Sequence, residues 1–222
     1  MPGRKIPLVN EQIYHVFNRG IDRRPTFIST KEYTRAITVI DYYRFSMPPT
    51  RLSYFLKLSK ERRQEIYDLM STHEKLVDIL AYCLMPNHFH FMLRQLADNG
   101  ISKFLSNFQN SYTRYFNTIH ERTGSLFLDQ FKGVLIETDE QLVHVSRYIH
   151  LNPLTSYVVR SIKNLLIYPW SSLNEYVENN PQLCELETVL QFFKKPNEYL
   201  SFVKDQMNYQ RELHKIQHLV LE

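Results

Sequence analysis

The chain has 222 residues, 43% hydrophobic and 23% charged, proportions that fit one globular domain with an elaboration, or two small domains. Five glycines are too few for Gly-rich phosphate loops or low-complexity linkers, and no apolar run is long enough to cross a membrane. The net charge is +4 but uneven: residues 1–63 hold 13 Lys and Arg against 5 Asp and Glu, and the remainder holds 14 against 18. The first part therefore suits a polyanion, or is simply a solvated basic surface.

The start, MPGRKIPLVNEQ, lacks the apolar stretch of a signal peptide. Cys83 and Cys184 are far apart and match no metal or redox spacing, so two reduced thiols in a cytoplasmic protein are expected.

The segment EQIYHVFNRG alternates Ile13, His15 and Phe17 with Tyr14, Val16 and Asn18, and predicts a first strand ending at Gly20. A basic loop, IDRRPTF, follows. STKEYTRAITVIDYYRF offers Ser29 or Thr30 as a cap and then helical spacing. Residues 46–72 contain two adjacent prolines and many charges, and read as a partly helical insertion. KLVDILAYCLMPNHFHFMLRQ has no helical start or stop signals; it predicts a hairpin of strands over 76–84 and 88–95, turned at Pro86-Asn87.

GISKFLSNFQNSYTRYFNTIHERTG places apolar residues at 101, 104, 105, 108, 112, 115, 116 and 119, a helix closed by Gly124. A strand over 131–137 follows. Thr138 with Gln141 is a capping box for the next helix, which Asn152-Pro153 should end because a residue before proline is pushed out of the helical region. Beyond it lie YPWSSLNEY, a short helix near 185–193 and a last one from 197 toward 214.

This order predicts an α+β fold: a ferredoxin-like βαββαβ antiparallel sheet with helices on one face, a further helix carrying candidate chemistry, and a mainly helical C-terminal extension. The expected division is a domain over 8–153, with its insertion near 46–72, and the extension over 154–222.

In the MPNHFHFMLR strand, His88 and His90 point to one face about 6.6 Å apart, while Phe89 and Phe91 point to the other. Two imidazoles on one face suit a divalent ion, although alternating strand histidines also arise by chance. A cupin's His-x-His needs a Glu shortly afterwards, and FMLRQLADNG has none.

In the helix after Thr138, His144, Tyr148 and Asn152 form one stripe at spacing four, and Leu142, Val145 and Ile149 form an apolar stripe that would dock it. Tyr148 and Asn152 stand about 6 Å apart along the axis. The amide oxygen suits a metal site and the phenol a neighbouring phosphorus; alternatively Tyr148 is one of 15 tyrosines, a residue type that mostly half-buries its ring and leaves the hydroxyl wet, and Asn152 is a helix stop. Arg19, Arg23 and Arg24 are candidates for phosphate contacts, or an ordinary exposed turn. Tyr14, Phe17 and Trp170 offer stacking surfaces, with core packing as the plainer role.

YHVFNRG, MPNHFHFMLR, RYIHLNP and YPWSS, in that order over residues 8–180, resemble the REP-associated tyrosine transposases and related insertion-sequence transposases of the single-tyrosine HUH class. The resemblance implies that His88, His90 and Asn152 are ligands of a divalent metal, Mg²⁺ or Mn²⁺, and that Tyr148 is the nucleophile. It implies a transposase-like endonuclease and strand transferase that acts on single-stranded, hairpin-forming DNA through a 5′-phosphotyrosine. Such a protein is a monomer or homodimer in the cytoplasm, away from membranes and on the nucleoid when bound to DNA. The sequence departs from the group at LDQFKG, where Gly-Arg is usual, and Lys132 stands as the replacement phosphate contact. Two other readings stay open: a catalytically silent DNA- or RNA-hairpin binder, and a metal-dependent phosphoesterase in which water attacks.

Overall fold

A computed structural model describes residues 7–205. Four strands form one sheet: β1 (Ile13–Arg19), β2 (Val77–Met85), β3 (His88–Gln95) and β4 (Lys132–Ile136), in the order β2-β3-β1-β4 with every neighbour antiparallel. Helix α1 (Thr30–Tyr43) connects β1 to the hairpin, followed by α2 (Leu52–Phe55) and α3 (Lys60–Ser71), and α4 (Gly100–Ile119) connects β3 to β4. This is the ferredoxin-like βαββαβ arrangement the element order predicts.

The predicted starts are visible in the local chemistry. Ser29 and Glu32 form a reciprocal capping box that satisfies two orphan N–H groups at the start of α1. The hairpin turns at Pro86-Asn87 because other backbone holds it there: Thr26 and Phe27 donate their N–H groups to Pro86 O at 2.7 and 3.0 Å, and Gly20 donates to Asn87 O at 2.8 Å. Gly20 must be glycine, since a Cβ there would lie 2.5 Å from Arg24 O.

The period-2 pattern of the strands sorts the side chains into two layers. Tyr14, Val16, Phe89 and Phe91 face α1 and α4; Phe89 and Phe91 meet Phe108 edge-on at 5.2 and 5.7 Å between ring centroids. His15, Phe17, His88 and His90 face the other way. Strand β2 is buried on both faces, which explains why LAYCLM reads as a continuous apolar run.

Helix α5 (Asp139–Thr155) covers part of that second face, packing on β2 and β3. Thr138 Oγ1 caps it by accepting from Gln141 N, while Gln141 Oε1 accepts from Glu137 N rather than from Thr138. The expected stop at Asn152-Pro153 is corrected: the helix runs through Pro153 to Thr155. Residues 149–155 are all buried, so packing outweighs the local cost of proline. The turn closes when Ser156 N donates to Asn152 O and Val159 N to Pro153 O, both at 2.9 Å. Two smaller boundary differences are a hairpin strand that starts at Val77 and α4 capped at His120, with Gly124 (φ +83°) four residues farther on.

After α5 come α6 (Ile162–Leu166), α7 (Leu173–Glu178), α8 (Glu187–Leu190) and α9 (Pro196–Asp205). The remainder of the helix expected from 197 toward 214 lies outside the described residues. YPWSS has a definite structural place. Leu84 N donates to Trp170 O at 2.8 Å and Ser172 N to Tyr82 O at 3.0 Å, so residues 170–172 cover the outer edge of β2. Trp170 is stacked on Tyr33 at 4.7 Å.

His150 clamps α5 to this edge. Its Nε2 lies 2.7 Å from Ser172 Oγ and its Nδ1 lies 2.6 Å from the Tyr199 hydroxyl of α9, with no exposed surface on the imidazole. The stretch of α5 that carries Tyr148 and Asn152 is therefore held from behind by the C-terminal elements.

Candidate active site

Register decides which side chains meet. Phe17 of β1 stands opposite His90 of β3, and Arg19 opposite His88. On the same β1–β3 pair, His15 is the diagonal neighbour of His90, within reach of an imidazole. His15 Nε2 lies 3.0 Å from His90 Nδ1, and the two rings stack at 5.2 Å. From α5, Tyr148 presents its ring edge-on to both, with centroids 5.5 Å from His90 and 5.7 Å from His15. One turn later, Asn152 Nδ2 reaches His90 Nε2 at 3.2 Å, and Ser156 Oγ donates to Asn152 Oδ1 at 3.2 Å. His88 lies beside His90 with rings 5.0 Å apart, and its Nδ1 lies 2.7 Å from Asn87 Oδ1.

The four residues singled out by sequence thus lie together in one chain, and no second copy is needed to unite them. His144, the first member of the predicted stripe, faces elsewhere: it contacts Arg147 and meets Phe202 edge-on.

His88, His90 and Tyr148 open into a groove of about 860 Å³ that Arg19, Arg23 and Lys132 also line, with no carboxylate among its lining residues. Lys132 Nζ sits 6.0 Å over the Phe17 ring. Arg24 is not part of that lining. Asp22 and Arg23 both take left-handed backbone (φ 56° and 55°), and Arg24 folds back on Ile21 O at 3.0 Å and on Asp22 at 3.2 Å. Phe17 lines the groove, whereas Tyr14 is buried in the core.

Burial sets the electrostatics. His90 is depressed well below its ordinary value, first by burial and then by the neighbouring His88 and His15 imidazoles; burial alone lowers His15 to about 4. Both are neutral at physiological pH, as a metal ligand must be. Burial raises the Tyr148 phenol, with a hydrogen bond from Asn152 acting the other way, although the ring remains 37% exposed on the groove side.

Among the described residues, no group of three His, Cys, Asp or Glu side chains is placed to hold a metal ion. Beside the His88 and His90 imidazoles, the Asn152 amide is placed where it could contribute an oxygen. Its nitrogen now faces His90; presenting the oxygen instead takes a half-turn of the carboxamide. The donor set of two neutral imidazoles and an amide oxygen is compatible with a divalent cation.

The model of the family described as transposase, IS200-like, matches residues 36–152, more than half of the chain, and that span includes His88, His90, Tyr148 and Asn152.

The chain belongs to the IS200-like transposase family.

No curated protein matches this IS200-like transposase. Among solved structures, a REP-associated tyrosine transposase bound to a REP hairpin is similar in fold, with a TM-score of 0.55 and 14% identity over 85% of this chain and 93% of that one. A chain described as a candidate transposase from Deinococcus radiodurans gives a TM-score of only 0.37 at 12% identity, over 67% of this chain and 95% of that one. In this IS200-like transposase, no helix among the described residues is long and apolar enough to cross a membrane.

The sequence reading missed His15, Asn87 and Ser156. His15 had a visible signal, an imidazole on the alternating face of β1, but its partner depends on the β1–β3 register. Asn87 reads as turn chemistry, and Ser156 lies beyond the helix end that Pro153 suggests.

Proposed function

We propose that this chain cleaves and rejoins single-stranded, hairpin-forming DNA through a covalent 5′-phosphotyrosine at Tyr148. The observation that carries the reading is the meeting of Tyr148, His88, His90 and Asn152, of which the first three line one groove with Arg19, Arg23 and Lys132. The hairpin substrate is carried over from the structurally similar transposase, which is bound to one.

Arg19, Arg23 and Lys132 fix the register of the strand by its phosphates. The Tyr148 oxygen attacks the phosphorus in line, the P–O3′ bond breaks, and the phenol proton is lost. The departing 3′ oxygen takes up a proton, and the 5′ phosphate remains on Tyr148. Attack by another 3′-hydroxyl reverses the step and joins a new strand, with the tyrosine as leaving group. A phenol at its ordinary value is about one part in a thousand ionised at neutral pH, and burial makes Tyr148 less acidic still. A divalent cation, Mg²⁺ or Mn²⁺, on His88, His90 and the Asn152 oxygen would supply Lewis-acid polarisation of the scissile phosphate.

The discriminating experiment incubates the protein with hairpin-tailed single-stranded DNA and Mn²⁺, then separates the products under denaturing conditions. A protein–DNA adduct is expected. Cleavage without an adduct would mean that water attacks. Binding without cleavage would leave a silent hairpin binder.

The groove also sets an expectation for binding. Removing Arg19 or Arg23 should flatten the plot of log affinity against log salt by about 0.7 per lost phosphate contact on single-stranded DNA. Arg24→Ala should leave the slope unchanged, because Arg24 turns back onto Ile21 and Asp22. Equal effects from all three would contradict this groove as the path of the strand.

A further inference from the structure

We infer that His15 is a positioning residue that holds the His90 imidazole with its proton on Nδ1, so that Nε2 is presented as a lone pair toward Asn152 and the groove. The part that concerns a cation rests on the function proposed above; the part that concerns the tautomer does not.

The inference follows from the direction of three hydrogen bonds in series. The Asn152 carboxamide turns Oδ1 toward Ser156 Oγ, which can donate to it, and Nδ2 toward His90. Nδ2 can only donate, so His90 Nε2 accepts at 3.2 Å. A neutral imidazole that accepts at Nε2 carries its proton on Nδ1. That proton points along the 3.0 Å contact to His15 Nε2, which therefore accepts. His90 is 5% exposed, so a solvent molecule is poorly placed to take over the task of His15. The opposite tautomer would put a proton on Nε2, set N–H against the Asn152 N–H, and remove the lone pair a cation needs.

His15 has no comparable place on the groove surface. It is not among the groove-lining residues, and its ring is stacked against His90 at an interplanar angle of 19°. It therefore acts on the site through His90. Partners of this kind orient a ligating histidine and commonly change metal affinity by about ten- to a hundredfold when removed.

The test combines ¹H–¹⁵N spectra of the histidine rings in the metal-free protein with Mn²⁺ titration. His15→Leu removes the acceptor; His15→Gln replaces it, because the glutamine amide oxygen can occupy the place of Nε2. The unaltered protein should show His90 protonated at Nδ1. His15→Leu should mix or reverse that tautomer and weaken Mn²⁺ binding by about ten- to a hundredfold, while His15→Gln should retain the tautomer and stay within about threefold in affinity. An Nε2-protonated His90 in the unaltered protein would overturn the inference. So would a His15→Leu variant whose tautomer and Mn²⁺ affinity are both unchanged. If the unaltered protein binds no Mn²⁺, the proposed metal site fails by itself, and the ring spectra still decide the role of His15. Should His15→Leu fold poorly, the His90 tautomer in the unaltered protein and in His15→Gln still supports or overturns the inference.

Discussion

Tyr148→Phe is expected to abolish covalent adduct formation and to lower strand cleavage by on the order of a thousandfold or more, with hairpin affinity changed by less than about threefold. The substitution removes one oxygen and keeps the ring that meets His15 and His90 edge-on, so the groove retains its shape. The same geometry predicts a pH profile for the unaltered protein. Burial holds the phenol above its ordinary value, so phenolate is scarce at neutral pH and the cleavage rate should climb between about pH 6 and 9. Gel quantification of adduct and cleaved strand, with binding followed separately, checks both statements. A Tyr148→Phe protein that still cleaves at near-normal rate would assign the attack to water or another side chain.

The second large effect is on stability in acid. His150 is buried between Ser172 and Tyr199, and burial depresses it from 6.5 to about 3; His15 is depressed to about 4 for the same reason. In the unfolded chain both take up a proton near pH 6.5, but in the folded chain neither does until the pH is far lower. Stability is therefore fullest above about pH 6.5 and falls as the pH drops toward about 4, by about 1.4 kcal/mol per pH unit for each histidine. Between pH 6.5 and 5, His150 alone should remove roughly 2 kcal/mol. Denaturant midpoints taken across this range should show the slope, and His150→Gln should reduce it by about one proton. An unchanged slope in His150→Gln would mean that the imidazole is not held neutral in the fold. Because His150 ties α5 to residues 170–172 and to α9, the same acid range should loosen the helix that carries Tyr148.

The chemistry that sequence exposes most readily is the chemistry that follows a fixed period. His88 and His90 are two apart on a strand, and Tyr148 and Asn152 are four apart on a helix, so each pair could be placed on one face before any tertiary contact was known. The fold was legible for the same reason: the alternation in β1 and β3 and the 3.6-residue period of α4 are strong, and Ser29 caps α1 as its residue type suggests.

What local rules did not show came from contacts between elements. His15 becomes meaningful only when the β1–β3 register sets it diagonally to His90. Pro153 reads as a stop, yet burial of residues 149–155 carries the helix past it and brings Ser156 to Asn152. Arg19, Arg23 and Arg24 look alike in a basic loop, but the left-handed turn at Asp22 and Arg23 sends Arg24 back onto its own backbone. YPWSS gives no periodic signal because it acts as edge cover for β2, through backbone bonds that most residue types could make.

The most direct measurement is mass spectrometry of the covalent product. The protein is allowed to react with hairpin-tailed single-stranded DNA in Mn²⁺, the DNA is trimmed with nuclease, and the protein is digested. The expected nucleotide-modified peptide contains Tyr148, with the phosphate joined to the phenol oxygen and to the 5′ side of the nucleotide. A modification on another residue, a 3′ linkage, or complete cleavage with no modified peptide would contradict Tyr148 as the nucleophile.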